Sequence, residues 1–421
     1  MAATLLRLAL ASLWNRRLTA GLTLVSITLA VVLLLGVEKI RSEARDGFYA
    51  AVSGTDLIVG ARAAPVQLLL ASVFRIGDPP ANLAWDSYER VRAHPQVAWS
   101  IPLTLGDSHR GYRVLGTDDG YLAHFRHGRD EALAVADGVW FDDLFDAVIG
   151  AEVAASLAYA PGTSLVLAHG AGPVSFSDHA TLPFRVSGVL APTGTPVDRT
   201  IHVSLAAIEA IHLGWEAGIA LPGREVSAAA ARAAELRPEV LSAALLGLRS
   251  RVAVFPVQQY VNGFPDEPLT AIMPAVALQQ FFALVGTAES ALLLVSAFVV
   301  LVGLAGMMTV VLASLTERRR EMAILRSVGA RPLHVLALLV AESATLTLLG
   351  VCLGFLLVQA LLVLAVPALG AWTGIRMAPG LPGVREWALM GGVLAAGVLV
   401  GVVPALLAYR RTLADGLSMR L

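Results

Sequence analysis

Histidine is the side chain of this sequence best suited to metal chemistry, and eight of the nine histidines lie between residues 94 and 212. These eight are His94, His109, His124, His127, His169, His179, His202 and His212. His124 and His127 are three residues apart and precede Asp130 and Glu131, a set of ligands that suits zinc or another transition metal. No cysteine, HxH pair or HExxH motif accompanies them. We therefore expect scattered surface and core histidines and no metal site. The alternative is a metal or haem site, for which His124 and His127 are the candidates.

The sequence carries no recognisable catalytic motif. It has no GxSxG nucleophile motif. A Walker A loop needs a Gly-Lys-Ser/Thr run so that its lysine reaches the phosphates of ATP, and the one lysine here, Lys39, is followed by Ile40. We therefore expect neither an enzyme nor a bound cofactor in this chain.

A charged island, TERRREMAILRSVGARP at residues 316–332, separates two long apolar runs. Read as a helix, it places Met322, Leu325 and Val328 on one stripe, with arginines around them and Gly329 at the C-terminal stop. A short apolar stripe ringed by arginine suits docking into a groove of a cytosolic partner. The alternative is a positively charged loop that lies at lipid headgroups.

Four long apolar runs are the elements that must position these residues. The chain of 421 residues is 56% hydrophobic and only 15% charged, with a mean hydropathy of +0.70. About 20 apolar residues span a bilayer, and the runs that reach this length are Leu18–Val37, Ser290–Thr316, Leu333–Val366 and Trp387–Tyr409. The first run exceeds the apolar core of a cleaved signal peptide and has no clear cleavage site, so we expect it to be retained.

Arginine placement predicts the orientation in the membrane. The segment before the first run, the island and the C-terminal tail together hold eleven arginines against Glu317, Glu321 and Asp415, a net charge of +8. Because the whole chain carries −1, the remainder sums to −9. The positive-inside rule then places both termini and the island in the cytoplasm, and the long central segment outside.

The central segment is expected to be α+β. Short β-rich runs such as LIVGA, VAWSIPLTL, YRVLGT, FRVSGVL and TIHVSL are divided by Gly, Pro and Asp. Residues 204–218 have helical periodicity, and the Ala/Leu/Arg-rich residues 225–250 are also predicted to be helical, with a break near Pro238. The apolar pattern from Met273 onward is longer than a bilayer requires, so we expect its surplus, roughly residues 275–289, to project outward as a stalk.

The membrane runs contain features of a packed helix bundle. Small residues four apart, which let helix backbones approach closely, occur as Gly350 with Gly354 and Gly397 with Gly401. Glu342 interrupts the third run; we expect it to bond to neighbouring helices, and an ion or proton relay is the alternative. The single cysteine, Cys352, excludes an intrachain disulfide.

The island and the order of the elements resemble one family. ASLTERRREMAILRSVGAR resembles the cytoplasmic coupling segment of the FtsX-like permeases, which include the macrolide-exporter, lipoprotein-release and cell-division subunits of type VII ABC systems. The pattern falls on Ser314, Glu317, Arg318, Glu321, Gly329 and Ala330. AVIGAEVAASLAYAPGTSL and FRVSGVLAPTGTPVDRTIHVSL resemble the family's periplasmic core, and PALLAYRRTLADGL resembles its C-terminal segment, with Asp415 departing from it.

The resemblance implies a permease subunit in a bacterial inner membrane, driven by a separate cytosolic ABC ATPase that binds ATP and Mg²⁺. The residues that it implies for coupling to the ATPase are Glu317, Arg318, Glu321, Met322, Leu325 and Gly329. Export or extraction of a substrate by mechanotransmission is the first hypothesis. The alternatives are a transducer that regulates a periplasmic enzyme such as a cell-wall hydrolase, a metal- or haem-handling transporter subunit, and an autonomous membrane enzyme. The expected partners are the ATPase, a second copy or paralogous permease, the lipid bilayer and a periplasmic substrate-binding or effector protein, but no nucleic acid.

The predicted fold class is membrane α-helical plus external α+β, with one N-terminal and three C-terminal transmembrane helices. The predicted segments are a cytoplasmic or interfacial helix at 1–17, spans at 18–37, 286–315, 333–366 and 386–409, an external domain with stalk ends at 38–285, a coupling helix at 316–332, an external loop at 367–385 and a cytoplasmic tail at 410–421.

Overall fold

The chain divides into a helical unit and a sheet unit. The computed structural model describes residues 11, 13–14, 16–79, 81–170, 179, 181–216, 219–220, 226–317, 331–373 and 380–415. The helical unit comprises residues 1–42, 286–367 and 377–421, and the sheet unit comprises residues 43–285 and 368–376. The two ends of the sequence thus form one unit and its middle forms the other.

Four of the described helices are long and apolar enough to cross a membrane. They are α1 (Arg17–Ala51), α9 (Pro274–Glu317), α10 (Pro332–Thr373) and α11 (Val384–Asp415). The predicted pattern of one N-terminal and three C-terminal spans is confirmed. Helices α1 and α9 have 35 and 44 residues, so at 1.5 Å per residue each is longer than a hydrocarbon core of about 30 Å.

The helical unit packs around its own apolar core. Ile27, Val31 and Leu35 of α1 are buried with Leu304 of α9 and Leu339 of α10. Many other large apolar side chains of these helices stay exposed, as expected for surfaces that face lipid. Most of the predicted N-terminal segment lies outside the described residues.

Seven shorter helices lie among the described residues of the sheet unit. They are α2 (Pro65–Ser72), α3 (Trp85–Arg92), α4 (Asp119–His124), α5 (Ala151–Leu157), α6 (Leu205–Ile211), α7 (Ala228–Ala233) and α8 (Val254–Asn262). Side-chain caps start several of them. Ser204 accepts a hydrogen bond from Ala207 N at the start of α6, and Asp118 accepts one from Gly120 N at the start of α4.

The described residues of the sheet unit also form seventeen strands. They are β1 (Leu57–Ala61), β2 (Leu83–Ala84), β3 (Val97–His109), β4 (Tyr112–Thr117), β5 (Arg126–His127), β6 (Glu131–Ala132), β7 (Val135–Gly138), β8 (Asp146–Ile149), β9 (Ser164–Leu165), β10 (Ala168–His169), β11 (Phe184–Leu190), β12 (Thr200–Ser204), β13 (Trp215–Glu216), β14 (Ile219–Ala220), β15 (Val240–Leu241), β16 (Ala243–Leu248) and β17 (Leu269–Ile272). Together with the short helices they confirm the predicted α+β class for the central segment.

Eleven of the described strands form one sheet, in the order β17-β1-β16-β3-β4-β12-β8-β11-β7, with β10 on β3 and β9 on β11. Most pairs are antiparallel, but β4 pairs with β12 and β8 with β11 in parallel. Strand β3 is 13 residues long and joins the two halves of the sheet. Its first part pairs with β16 and its second part with β4 and β10.

The helical prediction for residues 225–250 is wrong over most of its length. Only 228–233 is helical, and 243–248 forms strand β16 between β1 and β3. The run AALLGL is apolar at every position, and such a run fits a fully buried strand as well as a helix. Burial on both faces decided the outcome, because each of Ala243–Gly247 is buried.

Candidate functional site

The coupling segment predicted from the sequence lies almost wholly outside the described residues. Glu317 is the last residue of α9. Arg318, Glu321, Met322, Leu325 and Gly329 are not among the residues that the structure describes. Their role in binding an ATPase therefore stays a prediction.

The four glycines predicted for helix packing lie where helices of the helical unit approach one another. A Cβ on Gly350 would lie 2.5 Å from Ile27 Cγ2, and one on Gly354 would lie 2.6 Å from Val31 Cγ1. On α11, a Cβ on Gly397 would meet Thr347 Cγ2 at 2.6 Å, and one on Gly401 would meet Ser343 Cβ at 2.5 Å. A larger residue would therefore collide with side chains of α1 or α10.

Charged side chains link three helices of the helical unit. Arg41 donates to both carboxylate oxygens of Glu38, at 3.0 and 2.9 Å, and its Nη1 is 3.7 Å from Glu289 Oε2. Arg385 Nη1 lies 3.9 Å from Glu38 Oε1. Glu38, which is buried, is thereby compensated by two guanidinium groups. Glu342 of α10 is also buried.

The sheet unit holds a cavity of about 380 Å³. Its lining includes Phe48, Phe74 and Tyr112, and also Arg113 and Arg199. Both guanidinium groups already have acidic partners, Asp78 at 3.0 Å and Glu152 at 2.8 Å. The cavity can hold a small, largely apolar molecule.

The structure does not bring His124 and His127 together with a third metal ligand. The imidazole of His124, at the end of α4, stacks on Trp99 with ring centroids 5.3 Å apart and an interplanar angle of 1°. His127 lies in β5, opposite Glu131 of β6. Within the described part of the chain, neither belongs to a group of three or more residues that could hold a metal ion.

Such a group does form elsewhere in the sheet unit, from Asp107, His169, His179 and His212. We call these four residues the Asp107 cluster. Asp107 lies on β3 directly opposite His169 of β10, and the side chains of such a cross-strand pair are neighbours. His179 N donates to Leu167 O at 2.9 Å, which holds it beside β10. His212 is the C-cap residue of α6.

The potential ligand atoms of the Asp107 cluster converge on one point. Asp107 Oδ1 lies 3.3 Å from His169 Nδ1 and 3.7 Å from both His179 Nε2 and His212 Nε2. His169 Nδ1 and His212 Nε2 are 3.2 Å apart, and all four atoms lie within 4.8 Å of one another. The indole of Trp215 covers one side, with its ring centroid 4.3 Å from that of His179.

Burial and mutual contacts shift the pKa values in the cluster. Burial alone would raise the pKa of Asp107, but its contacts with the imidazoles of His169 and His179, and the charge of His212, hold it down to about 2. The contact with Asp107 raises the pKa of His169, whereas burial lowers the pKa of His212. Asp107 is therefore an anion at neutral pH and is available as a ligand or a counter-ion.

Spacing along the sequence gave no signal for this cluster. Its members span residues 107–212 and come from two strands, one connecting segment and one helix end. Only the concentration of histidine in the central segment pointed to this part of the chain.

One family model matches the C-terminal part of the chain. Residues 293–414 match the model of the FtsX-like permease C-terminal family. A protein of Methanocaldococcus jannaschii described as the uncharacterized ABC transporter permease MJ1507 is 31% identical over 142 residues. That match covers 34% of this chain and 35% of the relative, so the chain aligns with about a third of that protein's length.

Two solved structures resemble the chain more distantly. The periplasmic region of MacB from Actinobacillus actinomycetemcomitans has a TM-score of 0.34 at 11% identity, covering 55% of this chain and 94% of its own. The extracellular domain of the ABC-type transporter YknZ from Gram-positive bacteria has a TM-score of 0.30 at 13% identity, covering 52% and 99%. At these scores the likenesses carry no argument. The resemblance drawn from the sequence is confirmed by the family match: residues 293–414 are similar to the C-terminal domain of the FtsX-like permeases.

Proposed function

We propose that this chain is the permease subunit of an ABC system whose ATPase is a separate cytosolic protein. The observation that carries this proposal is the match of residues 293–414 to the FtsX-like permease C-terminal family. That stretch includes the island whose Ser314, Glu317, Arg318 and Glu321 fit the family's coupling pattern. The four candidate membrane helices and the presence of a large sheet unit between the first and second of them in the sequence support the same assignment.

The island supplies the contact with the ATPase in this proposal. It lies between two candidate spans, and its arginines favour the cytoplasmic side. The sequence stripe of Met322, Leu325 and Val328 would enter an apolar groove of the ATPase, while Glu317 and Glu321 would bond to polar groups at the rim.

Mechanotransmission is the mode of action that we propose. ATP binding and hydrolysis would close and open the ATPase, and two permease chains would carry that movement to their sheet units on the other side of the membrane. Work would be done there, on a substrate exported or extracted from the outer leaflet or the periplasm. The net +8 of the termini and the island, against −9 for the rest of the chain, supports this orientation.

Leu325→Glu tests the proposed coupling. A charge placed in an apolar groove without a partner costs several kcal/mol, and about 1.4 kcal/mol is tenfold in affinity. Co-purification of the ATPase and stimulation of its ATP turnover should therefore fall about tenfold or more. Arg319→Ala is the matched control and should change both little, because this arginine is expected to be solvated.

The amount and dimeric state of the Leu325→Glu permease should equal those of the wild type. Normal recovery of the ATPase with full stimulation would contradict the proposal. Failure of the variant to accumulate would contradict it as well, because the island would then serve folding and not coupling.

A further inference from the structure

We propose that the Asp107 cluster is the binding site for a single divalent transition-metal ion, with Zn²⁺ as the ion that fits its ligands best. The four ligands are Asp107 Oδ1, His169 Nδ1, His179 Nε2 and His212 Nε2. The inference concerns the sheet unit alone and does not depend on the proposed permease function.

The distances between the ligand atoms match those around a tetrahedral ion. Zinc–nitrogen and zinc–oxygen bonds of about 2.0–2.1 Å imply about 3.3–3.4 Å between any two ligand atoms of a regular tetrahedron. Four of the six separations in the cluster are 3.2, 3.3, 3.7 and 3.7 Å, and none of the six exceeds 4.8 Å. An ion at the centre would therefore need only small movements of the side chains.

The donor types select the class of ion. Three imidazoles and one carboxylate suit zinc and its first-row neighbours, whereas Ca²⁺ and Mg²⁺ prefer all-oxygen sites with more ligands. His212 Nδ1 lies 2.8 Å from Ile208 O. Because a carbonyl can only accept a hydrogen bond, Nδ1 must carry the proton and Nε2 presents its lone pair to the cluster. This is the outer-shell bond that typically orients a metal-binding histidine.

Hydrogen bonds alone do not satisfy the cluster. Asp107 Oδ1 and His179 Nε2 are buried, and neither has a partner at hydrogen-bonding geometry among the described residues. Their separation of 3.7 Å exceeds the length of a hydrogen bond. Buried polar atoms without partners are rare in folded proteins and call for an explanation, of which an ion is one. A cation at the centre would bond to both atoms at once.

Two of the four ligand side chains are partly exposed and two are buried. The side chains of Asp107 and His179 are 3% and 2% exposed, whereas those of His169 and His212 are 38% and 28% exposed. Four protein ligands leave no open position for a substrate, which is the arrangement of structural zinc sites. The ion would join β3, β10, the residue 179 segment and the end of α6, and so would stabilise this part of the sheet unit.

The test uses the full-length chain in nanodiscs, stripped of metal with a chelator and then exchanged into metal-free buffer. Zn²⁺ alone is titrated in competition with a chromophoric chelator, and bound zinc is counted by elemental analysis. We expect one zinc per chain and a melting temperature that rises with Zn²⁺ concentration. His169→Ala and His212→Ala should each weaken zinc binding about tenfold or more. These two side chains are only partly buried, so their removal should disturb the fold less than removal of Asp107 or His179. His124→Ala is the matched control and should bind like the wild type.

X-ray absorption of the zinc-loaded wild type gives a readout that does not depend on the variants. It should show four light ligands, three of them imidazoles. A folded wild type that binds no zinc would overturn the proposal. So would His169→Ala and His212→Ala proteins that bind zinc as tightly as the wild type, or a spectrum with six oxygen ligands.

Discussion

Replacing Asp198 by alanine should destabilise the sheet unit more than most other changes of one side chain. The carboxylate of Asp198 is only 4% exposed. Its Oδ1 accepts hydrogen bonds from Thr193 N at 2.7 Å and Thr193 Oγ1 at 2.9 Å, and its Oδ2 accepts one from Gly194 N at 2.8 Å. One carboxylate thus fixes the turn that precedes the short 3₁₀ helix Pro196–Arg199.

The magnitude follows from these three bonds. A hydrogen bond to a charged group contributes about 1.5–3 kcal/mol, but Thr193 and Gly194 are only half-buried, so water recovers part of the loss in the variant. We expect Asp198→Ala to lower the free energy of unfolding by about 3 kcal/mol, within the range for a broken buried network. Asp198→Asn keeps the shape and the Oδ1 acceptor but places an NH₂ group against Gly194 N. It should lose about half as much.

Urea unfolding in nanodiscs, followed by tryptophan fluorescence, measures this difference. Four of the seven tryptophans, Trp85, Trp99, Trp140 and Trp215, lie in residues 43–285 of the sheet unit. Asp137→Ala, at an exposed strand position, is the control and should change the stability by less than about 0.5 kcal/mol. If Asp198→Ala were no less stable than this control, the hydrogen bonds in the structure would not contribute as argued.

Three further predictions concern a carboxyl group, the helix packing and the topology. Burial raises the pKa of Asp118 from 3.8 to about 6, so this group stabilises the folded state below about pH 4 and that contribution is lost as the pH rises through 6. Asp118→Asn, which can still cap α4, should remove this part of the pH dependence of the unfolding free energy and make the protein more stable at pH 7 than the wild type. If the unfolding free energy of the variant depends on pH as that of the wild type does, the raised pKa of Asp118 is refuted. Gly350→Leu should reduce the yield of folded protein in detergent, because the Cβ of the new side chain would already lie 2.5 Å from Ile27. Gly391→Leu is the control and should leave the yield unchanged, because a Cβ on Gly391 would meet no side chain within 4 Å. In a Cys352→Ala background, Arg129→Cys should react with an impermeant maleimide while the inner membrane is intact. Reaction only after permeabilisation of that membrane would contradict the predicted orientation.

The sequence predicted those parts of the fold that composition and periodicity determine directly. The four spans follow from apolar runs of about 20 residues or more, because a run of that length without charges is typical of a membrane-spanning helix. Strands such as β1 and β12 contain the β-branched residues Ile, Val and Thr, which favour extended backbone. Strand β16 was missed because its Ala/Leu run has helical propensity, and only its position between β1 and β3 makes it a strand.

The Asp107 cluster could not be predicted for a different reason. Its members are brought together by the pairing of β3 with β10 and by the end of α6, and no local spacing records such long-range contacts. The pair His124 and His127 had the more suggestive spacing, but α4 ends between them and directs them to Trp99 and to the β5–β6 pair. Proximity along the sequence was therefore a poor guide to ligand geometry here.

Photocrosslinking from the island tests the central claim most directly. A photoreactive amino acid placed at Leu325 in the otherwise native chain, in cells of the source organism, should form an adduct with one cytosolic protein that carries a Walker A motif. The same amino acid at Val240, an exposed position of the sheet unit, should form no adduct with that protein. If the Leu325 probe yields adducts only with lipid or with the chain itself while the protein accumulates normally, this chain is not the permease subunit of an ABC ATPase that binds through the island.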